Sequence, residues 1–291
     1  MTRRTHAPAF ALALLHVSCI DTGQHEISVP LRVGGSSPMP IVGANGWSIE
    51  LHQAQLAFGP LYLCAGYQAG SLCETARAEW TDSAVVDALD PNALEVGQLT
   101  GVSGPIRSWM FDLGITSLLT QQRPEVLSAA SSLGGNSVRI SGVAVKGSRS
   151  LPFAIAMPIQ QDEMTEIGAS VVRKSTADVF EHRLSDKDQG LTVRFDATPW
   201  VREIDFEALV DDSTCVGGGA PLACAGNLEF SCDASGAISA QRDCEALNQT
   251  CIRALGCVDR AELGPDSQGF RAVRSAIVAG ARPSFEWTNE Q

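Results

Sequence analysis

Charged side chains, histidines and long apolar runs are all scarce in this sequence. Only 19% of its 291 residues are charged, and 5 are histidines. So few charges argue against a bundle of solvated helices, whereas the 27 glycines favour short strands joined by turns. After the N-terminus, no segment reaches the run of about 18 apolar residues that a membrane-spanning helix needs. The hydrophobic fraction of 44% is that of an ordinary folded chain, which excludes a disordered one.

Basic residues are outnumbered as well, and the formal net charge is −12. If residues 1–18 are removed, Arg3 and Arg4 go with them, so 21 minus 2, or 19, basic residues face 33 acidic ones and the charge becomes −14. An acidic surface repels phosphate backbones, so we expect no nucleic-acid partner. It also offers no basic patch to anionic lipids, so any membrane attachment must be covalent or apolar.

The first residues have the features of an export signal. Arg3 and Arg4 precede the apolar run Ala9–Leu15, which is too short to span a bilayer. Cys19 follows the small Ser18, an arrangement that resembles the lipoprotein box of bacteria, although His16 stands where that box usually has leucine. The resemblance implies that residues 1–18 are a signal peptide and that Cys19 is acylated, giving an outer-membrane lipoprotein that faces the periplasm or the cell surface. The alternative is a plain cleaved signal in which Cys19 is incidental.

The cysteine count supports lipidation. Nine cysteines are an odd number for an exported protein, and acylation of Cys19 leaves eight. In an oxidising compartment these eight are expected to form disulfides. They are Cys64, Cys73, Cys215, Cys224, Cys232, Cys244, Cys251 and Cys257. A bond between Cys64 and Cys73, pinning a loop between two strands, is the simplest arrangement for the first two, and the pairing of the other six stays open.

Residues 211–257 contain six of the cysteines but few large apolar residues, so cross-links must replace a core there. The pattern resembles a cysteine-rich module that is common in secreted proteins of myxobacteria. The matching residues are Cys215, Cys224 with Gly226 and Asn227, Cys232 with Gly236, then Cys244, Cys251 and Cys257. The resemblance implies an extracytoplasmic interaction module without catalysis. Zinc is a poor alternative, because no cysteine pair has the usual spacing and the segment has no histidine.

The rest of the chain predicts a mainly β fold, an antiparallel β-sandwich with one or two short helices. Period-two stripes begin at Trp47, Val138, Phe153, Leu191 and Phe285. A change of parity near Gln53–Gln55, and another after Gly142, predicts β-bulges, and Lys146-Gly147-Ser148 predicts a hairpin turn.

Other segments follow from the same patterns. We expect helical or irregular structure over 76–96, a short amphipathic helix over 266–280 beginning at Asp266, and β structure over 199–209. The predicted organisation is a signal peptide (1–18), a lipid-anchored tether (19–45) with room for one strand at Ile27–Val33, a sandwich domain (46–210 and 258–291) and the inserted disulfide-rich module (211–257).

A second resemblance involves residues 46–64, 137–157 and 199–209. These segments look like myxobacterial lipoproteins and are distantly similar to the copper-binding periplasmic partner proteins of the methanobactin system. Shared features are Trp47 in an early strand, a Gly-Val-Ala hairpin that ends in Pro-Phe, and a late Trp-x-x-x-Ile-Asp-Phe. The resemblance implies a β-sandwich in which copper is bound by histidine and a modified tryptophan.

No copper ligand maps onto this chain residue by residue. The mature part has three histidines, His25, His52 and His182. His52, on the polar face of the first strand and near Trp47, is the weak metal candidate, and the alternative is a solvent-facing or hydrogen-bonded histidine.

Motifs of common enzyme classes are missing, including G-x-S-x-G, the P-loop and H-E-x-x-H. Asp186 to Gly190 fits a turn better than a calcium loop. Glu203 and Asp205, two apart on a predicted strand, fit a surface face better than a glycosidase pair. We therefore predict no enzyme and no cofactor.

The leading hypothesis is a non-enzymatic cell-envelope lipoprotein that binds an unknown protein or glycan ligand. The alternative is a periplasmic copper- or metal-handling protein. A third hypothesis, a hydrolase with its site spread over loops, would require a nucleophile, a histidine and a carboxylate within hydrogen-bond reach.

Overall fold

The computed structural model describes most of the chain after the predicted signal. The described residues are 24–37, 39–66, 75–115, 125–159, 173–175, 181–210, 222–233, 235, 237–252, 255–280 and 282–289. The predicted signal peptide, Cys19, Cys73 and Cys215 lie outside them.

Strands dominate the described residues. In chain order they are β1 (Glu26–Gly35), β2 (Ile41–Val42), β3 (Ser48–Phe58), β4 (Leu61–Cys64), β5 (Ala76–Trp80), β6 (Ala84–Asp87), β7 (Leu94–Val102), β8 (Gly104–Ile106), β9 (Ser108–Asp112), β10 (Asn136–Lys146), β11 (Arg149–Pro158), β12 (Arg173–Ser175), β13 (His182–Leu184), β14 (Asp188–Phe195), β15 (Leu222–Ala225), β16 (Leu228–Cys232), β17 (Ile238–Asp243), β18 (Thr250–Ile252), β19 (Gly256–Val258), β20 (Ala261–Glu262) and β21 (Ser284–Asn289). The helices are α1 (Ser128–Ser132), α2 (Thr198–Val201) and α3 (Gln268–Ser275), which continues as a π-helix over Ala276–Gly280. Short 3₁₀ turns cover Ala44–Gly46, Glu207–Leu209 and Glu245–Leu247.

Two sheets form the body of the protein. The larger has the strand order β12-β9-β4-β5-β7-β1-β14-β21, and the smaller has the order β2-β3-β10-β11-β20, with β6 also paired to β3. Most neighbours are antiparallel, whereas β1 with β14 and β11 with β20 are parallel pairs. The predicted mainly β class is confirmed.

Aromatic side chains join the two sheets across a common core. Phe58 of β3 lies 5.7 Å from Trp80, 5.3 Å from Phe111 and 5.4 Å from Phe195, ring centroid to ring centroid, and these three belong to the larger sheet. Phe58 is fully buried. Contacts of this kind contribute about 0.5–1.5 kcal/mol each beyond the burial of apolar area, so the pairing of the sheets is anchored at this cluster.

The predicted change of parity near Gln53–Gln55 is a β-bulge on β3, whereas the one predicted after Gly142 is wrong. On β10 the buried side chains keep a single parity through Ile140 and Ala144, and Val145 is 40% exposed. On β10 the register shifts between Ser141 and Gly142, which pair with Gln53 and Leu51 of β3. His52 is therefore the extra residue of a β-bulge, and the side chains on either side of it swap faces. A Cβ on Gly142 would lie 2.2 Å from the carbonyl oxygen of Glu50, so only glycine fits opposite the bulge.

Three local predictions need correction. Residues 76–96 form β5, β6 and the start of β7 rather than a helix, because neighbouring strands supply the hydrogen bonds that local patterning does not reveal. Residues 199–209 form α2 and a 3₁₀ turn rather than strands, and Pro199 occupies the first turn of α2, where its missing N–H costs nothing. The later helix begins after the predicted start, because the Ser267 hydroxyl, not Asp266, caps the Phe270 amide.

The order of elements shows how the cysteine-rich segment joins the sandwich. Strands β15–β17 form one small sheet and β18–β19 a hairpin, after which β20 pairs with β11 and β21 with β14. Val210 and Val258 pack against the core of the sandwich and Ile252 is buried within it, before β20 pairs with the smaller sheet from Ala261. At the other end, β1 lies between β7 and β14 with Leu31 fully buried, so Glu26–Gly35 belongs to the sandwich.

Candidate functional site

An open groove of about 460 Å³ lies beside β3 in the smaller sheet. Its lining includes Ile49 and Leu51 from the N-terminal half of β3, and Met39 and Pro40 from the connection between β1 and β2. Residues that follow β6 and β14 complete the lining. The volume is in the range of sites for small ligands or short peptides.

The groove lies where one edge of β3 has no neighbouring strand among the described residues over part of its length. The opposite edge pairs with β10 throughout Ser48–Leu56. On the groove side, β2 pairs only as far as Ile49, and β6 begins at Gln55. Among the described residues, no strand pairs with Glu50–Gln53 on this side, and the Ala88 amide donates to the Ala54 carbonyl at 2.8 Å where pairing resumes.

The two partners stop in different ways. The ladder of β2 ends where Ile41 pairs with Ile49, one residue after Pro40. At the other end, an Asp87 carboxylate oxygen accepts a hydrogen bond of 2.9 Å from the Leu89 amide, a turn that carries the chain away from β3. The Asp87 turn thus sets one end of the gap.

Acidic groups flank the groove, and the floor is apolar. Glu50 and Asp196 line it, and no lysine, arginine or histidine does. The Glu50 side chain is 83% exposed, and the Asp196 carboxylate accepts a hydrogen bond of 2.8 Å from the Thr198 amide. Ile49 and Ala88 are buried beneath, whereas Met39 is 71% exposed at the rim. A ligand with apolar and positively charged groups would match this surface.

His52 lies next to the groove but does not line it. Its side chain is 55% exposed, and Nε2 lies 3.8 Å from the Glu50 carboxylate. One exposed imidazole and one exposed carboxylate are too few ligands for a tight metal site. The structure thus places the weak metal candidate at a solvent-facing surface position.

A second cluster surrounds His182, which no sequence motif marks. Nε2 of His182 lies 3.1 Å from Oδ1 of Asp188, whose side chain is 2% exposed. The other carboxylate oxygen accepts 2.7 Å and 3.4 Å hydrogen bonds from the amide and hydroxyl of Ser185. The imidazole lies flat against the Trp287 indole. The turn predicted over Asp186–Gly190 covers Asp186 and Lys187, because β14 begins at Asp188, and the sequence gives no sign that Asp188 is buried.

This cluster holds a nucleophile, a histidine and a carboxylate, but not in hydrolase order. In a catalytic triad the histidine stands between the serine and the acid, so that it can take the serine proton. Here Asp188 stands between Ser185 and His182, and the hydroxyl donates to the carboxylate. The arrangement orients the imidazole and does not activate Ser185.

A third cluster ties the β10–β11 hairpin to the segment before the module. Oε2 of Glu207 accepts hydrogen bonds from Nζ of Lys146 at 2.7 Å and from the indole N–H of Trp47 at 3.1 Å. These bonds, with the charges of Lys146 and Arg149, hold the pKa of Glu207 below its ordinary value. Trp47 itself is fully buried. The cluster connects segments that are distant in the sequence and does not enclose a cavity.

The disulfides of the module are partly visible. Cys224 is bonded to Cys251 and Cys244 to Cys257. Cys64 and Cys232 are disulfide-bonded too. The Cys257 amide donates a 2.6 Å hydrogen bond to the buried Glu229 carboxylate. These bonds support the interpretation of the segment as a cross-linked module.

One group of metal-binding side chains occurs in the described part of the chain. Glu229, Cys244 and Cys257 have potential ligand atoms within 4.8 Å of one another. Because the two sulfurs are bonded to each other, neither is a thiolate that could bind a metal. The group is therefore structural.

Comparisons with known proteins find a distant likeness of fold and no match of sequence. No family model and no curated protein matches the sequence. Among solved structures, the fold is distantly similar to MbnP from Methylosinus trichosporium, with a TM-score of 0.33 and 16% identity, over 62% of this chain and 79% of that chain. A likeness this distant does not show what this chain binds. The resemblance to myxobacterial lipoproteins finds no support here and stays a prediction.

Proposed function

We propose that this protein is an exported, non-enzymatic binding protein of the cell envelope, and that the groove beside β3 is its ligand site. The observation that carries the proposal is that no described strand pairs with Glu50–Gln53 on the side that faces a groove of about 460 Å³. An unpaired strand edge beside apolar walls offers both hydrogen bonds and contact area. The described part of the chain offers no comparable arrangement around His182 or Glu207.

Export is supported by the sulfur chemistry. Two disulfides cross-link a segment that has little apolar core, and such bonds persist in oxidising compartments. No helix in the described residues is long and apolar enough to cross a membrane. Acylation of Cys19 would provide the anchor in an outer-membrane lipoprotein. Intact-mass spectrometry of the exported chain, with and without reduction, measures the lipid and the number of disulfides together.

A neutral apolar dye, Nile red, tests the groove directly. We expect its fluorescence to rise on binding to the wild-type protein, and Met39→Ser or Leu51→Ser to weaken binding at least threefold. Leu247→Ser is the matched control, since Leu247 is an exposed apolar residue like Met39 but lies in the module. Equal binding by all variants would place the dye elsewhere and contradict the proposed site.

Metal handling is the alternative function, and it predicts a different result. Metal analysis of protein purified from native periplasm should then find one copper per chain. A metal-free protein that still binds Nile red supports the first function.

A further inference from the structure

We infer that the occupant of the groove is an extended peptide with basic side chains, bound as an added strand on the open edge of β3. This inference rests on the proposed function, because it names the class of ligand for the same groove. Three observations support it. They are the length of the open edge, the apolar floor beneath a polar rim, and the negative charge of that rim.

The open edge has the length of a short peptide strand. Glu50–Gln53 is a stretch of four residues between the segment paired with β2 and the segment paired with β6. At about 3.4 Å per residue, an added strand of four or five residues would fill it. Main-chain hydrogen bonds supply affinity in this mode of recognition, and pockets for alternate side chains supply specificity.

The floor and the rim suit the two faces of such a strand. Buried Ile49 and Ala88, with half-buried Leu51 and Leu89, form an apolar floor. Alternate side chains of a bound strand would face this floor, and the others would face the rim. A sequence that alternates apolar and charged residues satisfies both.

The charges at the rim of the groove determine whether a positively or a negatively charged ligand is favoured. Glu50 and Asp196 are the charged side chains of the lining, and both are acidic. The formal net charge of the whole chain is −12, so the wider field also attracts cations. An acidic peptide of the same shape would be repelled on both counts, which makes charge the strongest discriminator between candidate peptides.

Blocked pentapeptides provide the test on the oxidised, full-length exported protein. The first alternates lysine with valine, and the second has glutamate in place of lysine. Two further lysine peptides carry N-methyl groups, one on all lysines and one on all valines. In an added strand, only alternate residues donate hydrogen bonds to β3. We therefore expect one methylated peptide to bind at least tenfold more weakly than the other.

Protein variants test the role of the rim. Glu50→Gln should weaken binding of the lysine peptide about threefold to tenfold, and Glu50→Lys should weaken it further. Asp196→Asn should have an effect similar to that of Glu50→Gln, because its amide oxygen can still accept from Thr198. Glu26→Gln, at an exposed position on β1, is the control and should bind like the wild type.

The outcomes separate this inference from the proposed function. The lysine peptide should bind at least tenfold more tightly than the glutamate peptide, and it should displace Nile red. Equal affinity for both charges, or equal loss with both methylation patterns, overturns the inference. If Nile red binds the groove and no peptide displaces it, the groove remains a ligand site and only the peptide is wrong.

Discussion

The imidazole ring of His182 lies flat on the indole ring of Trp287, with centroids 3.9 Å apart and planes 5° from parallel. The contact joins β13, paired with β8, to the outermost strand β21 of the larger sheet. Asp188 holds the same imidazole at its edge, through the contact between Oδ1 and Nε2. The stack therefore contributes to holding an edge strand in place.

A double-mutant cycle measures this contact. We expect His182→Ala and Trp287→Ala to show a coupling energy of about 1 kcal/mol in urea unfolding, the usual value for a stacked pair. His182→Ala also leaves Asp188 without its partner, but that cost cancels in the cycle. His52→Ala with Trp287→Ala is the control and should be additive, because His52 lies in the other sheet. A coupling energy near zero for His182 would show that the stack does not stabilise the fold.

Glu207 predicts a specific dependence of stability on pH. Its folded-state pKa is lowered by the bonds from Lys146 and Trp47. The ionised carboxylate therefore stabilises the fold above the ordinary glutamate pKa, and this contribution is lost as the pH falls through the folded-state value. Glu207→Gln keeps an acceptor for Trp47 and removes the charge, so it should destabilise the protein at pH 7.

Urea unfolding at each pH measures the free energy of unfolding of wild type and of Glu207→Gln. The difference between the two should become smaller as the pH falls toward 3. Glu203→Gln, in the same segment, is the matched control and should stay within about 0.5 kcal/mol of wild type throughout. If the difference in the free energy of unfolding stays constant from pH 7 to pH 3, the carboxylate charge contributes nothing to stability.

Reduction should unfold the module before the sandwich. Cys224–Cys251 and Cys244–Cys257 close loops of 27 and 13 residues, worth about 3.5 and about 3 kcal/mol in the chain-entropy model. The core of the sandwich consists mainly of apolar side chains from both sheets, to which the module adds Ile252. Limited proteolysis with mass spectrometry should therefore show early cuts within 222–257 after reduction. Cuts spread evenly over the chain would contradict this order.

Gly101 should not tolerate a side chain. A Cβ there would lie 2.1 Å from the carbonyl oxygen of Arg77 and 2.5 Å from the Cα of Ala78, both main-chain atoms of the neighbouring strand β5. Gly101→Ala should therefore lower the free energy of unfolding by about 1–3 kcal/mol or more. Gly264→Ala is the control, because a Cβ at Gly264 would have no atom within 4 Å and its φ is ordinary. Thermal unfolding of the two variants tests this prediction. Equal melting temperatures for Gly101→Ala and Gly264→Ala would refute it.

The sequence determined the β character of the chain and several details of it. Period-two stripes mark strands because alternate side chains face the core, and a change of parity marks the bulge at His52 for the same reason. Gly147 supplies the positive φ that the predicted hairpin turn requires. The poverty of large apolar residues in 211–257 indicates the need for disulfides, although not their pairing.

Only the tertiary structure decided which strand edge stays open and which polar groups meet. Pairing of β3 with β2, β6 and β10 brings together residues from distant parts of the chain, and the gap at Glu50–Gln53 appears only after all three are placed. Asp188 and Trp287 lie far apart in the sequence, yet both contact His182. Residues 76–96 form strands because neighbouring strands complete their hydrogen bonds, which local propensity cannot specify.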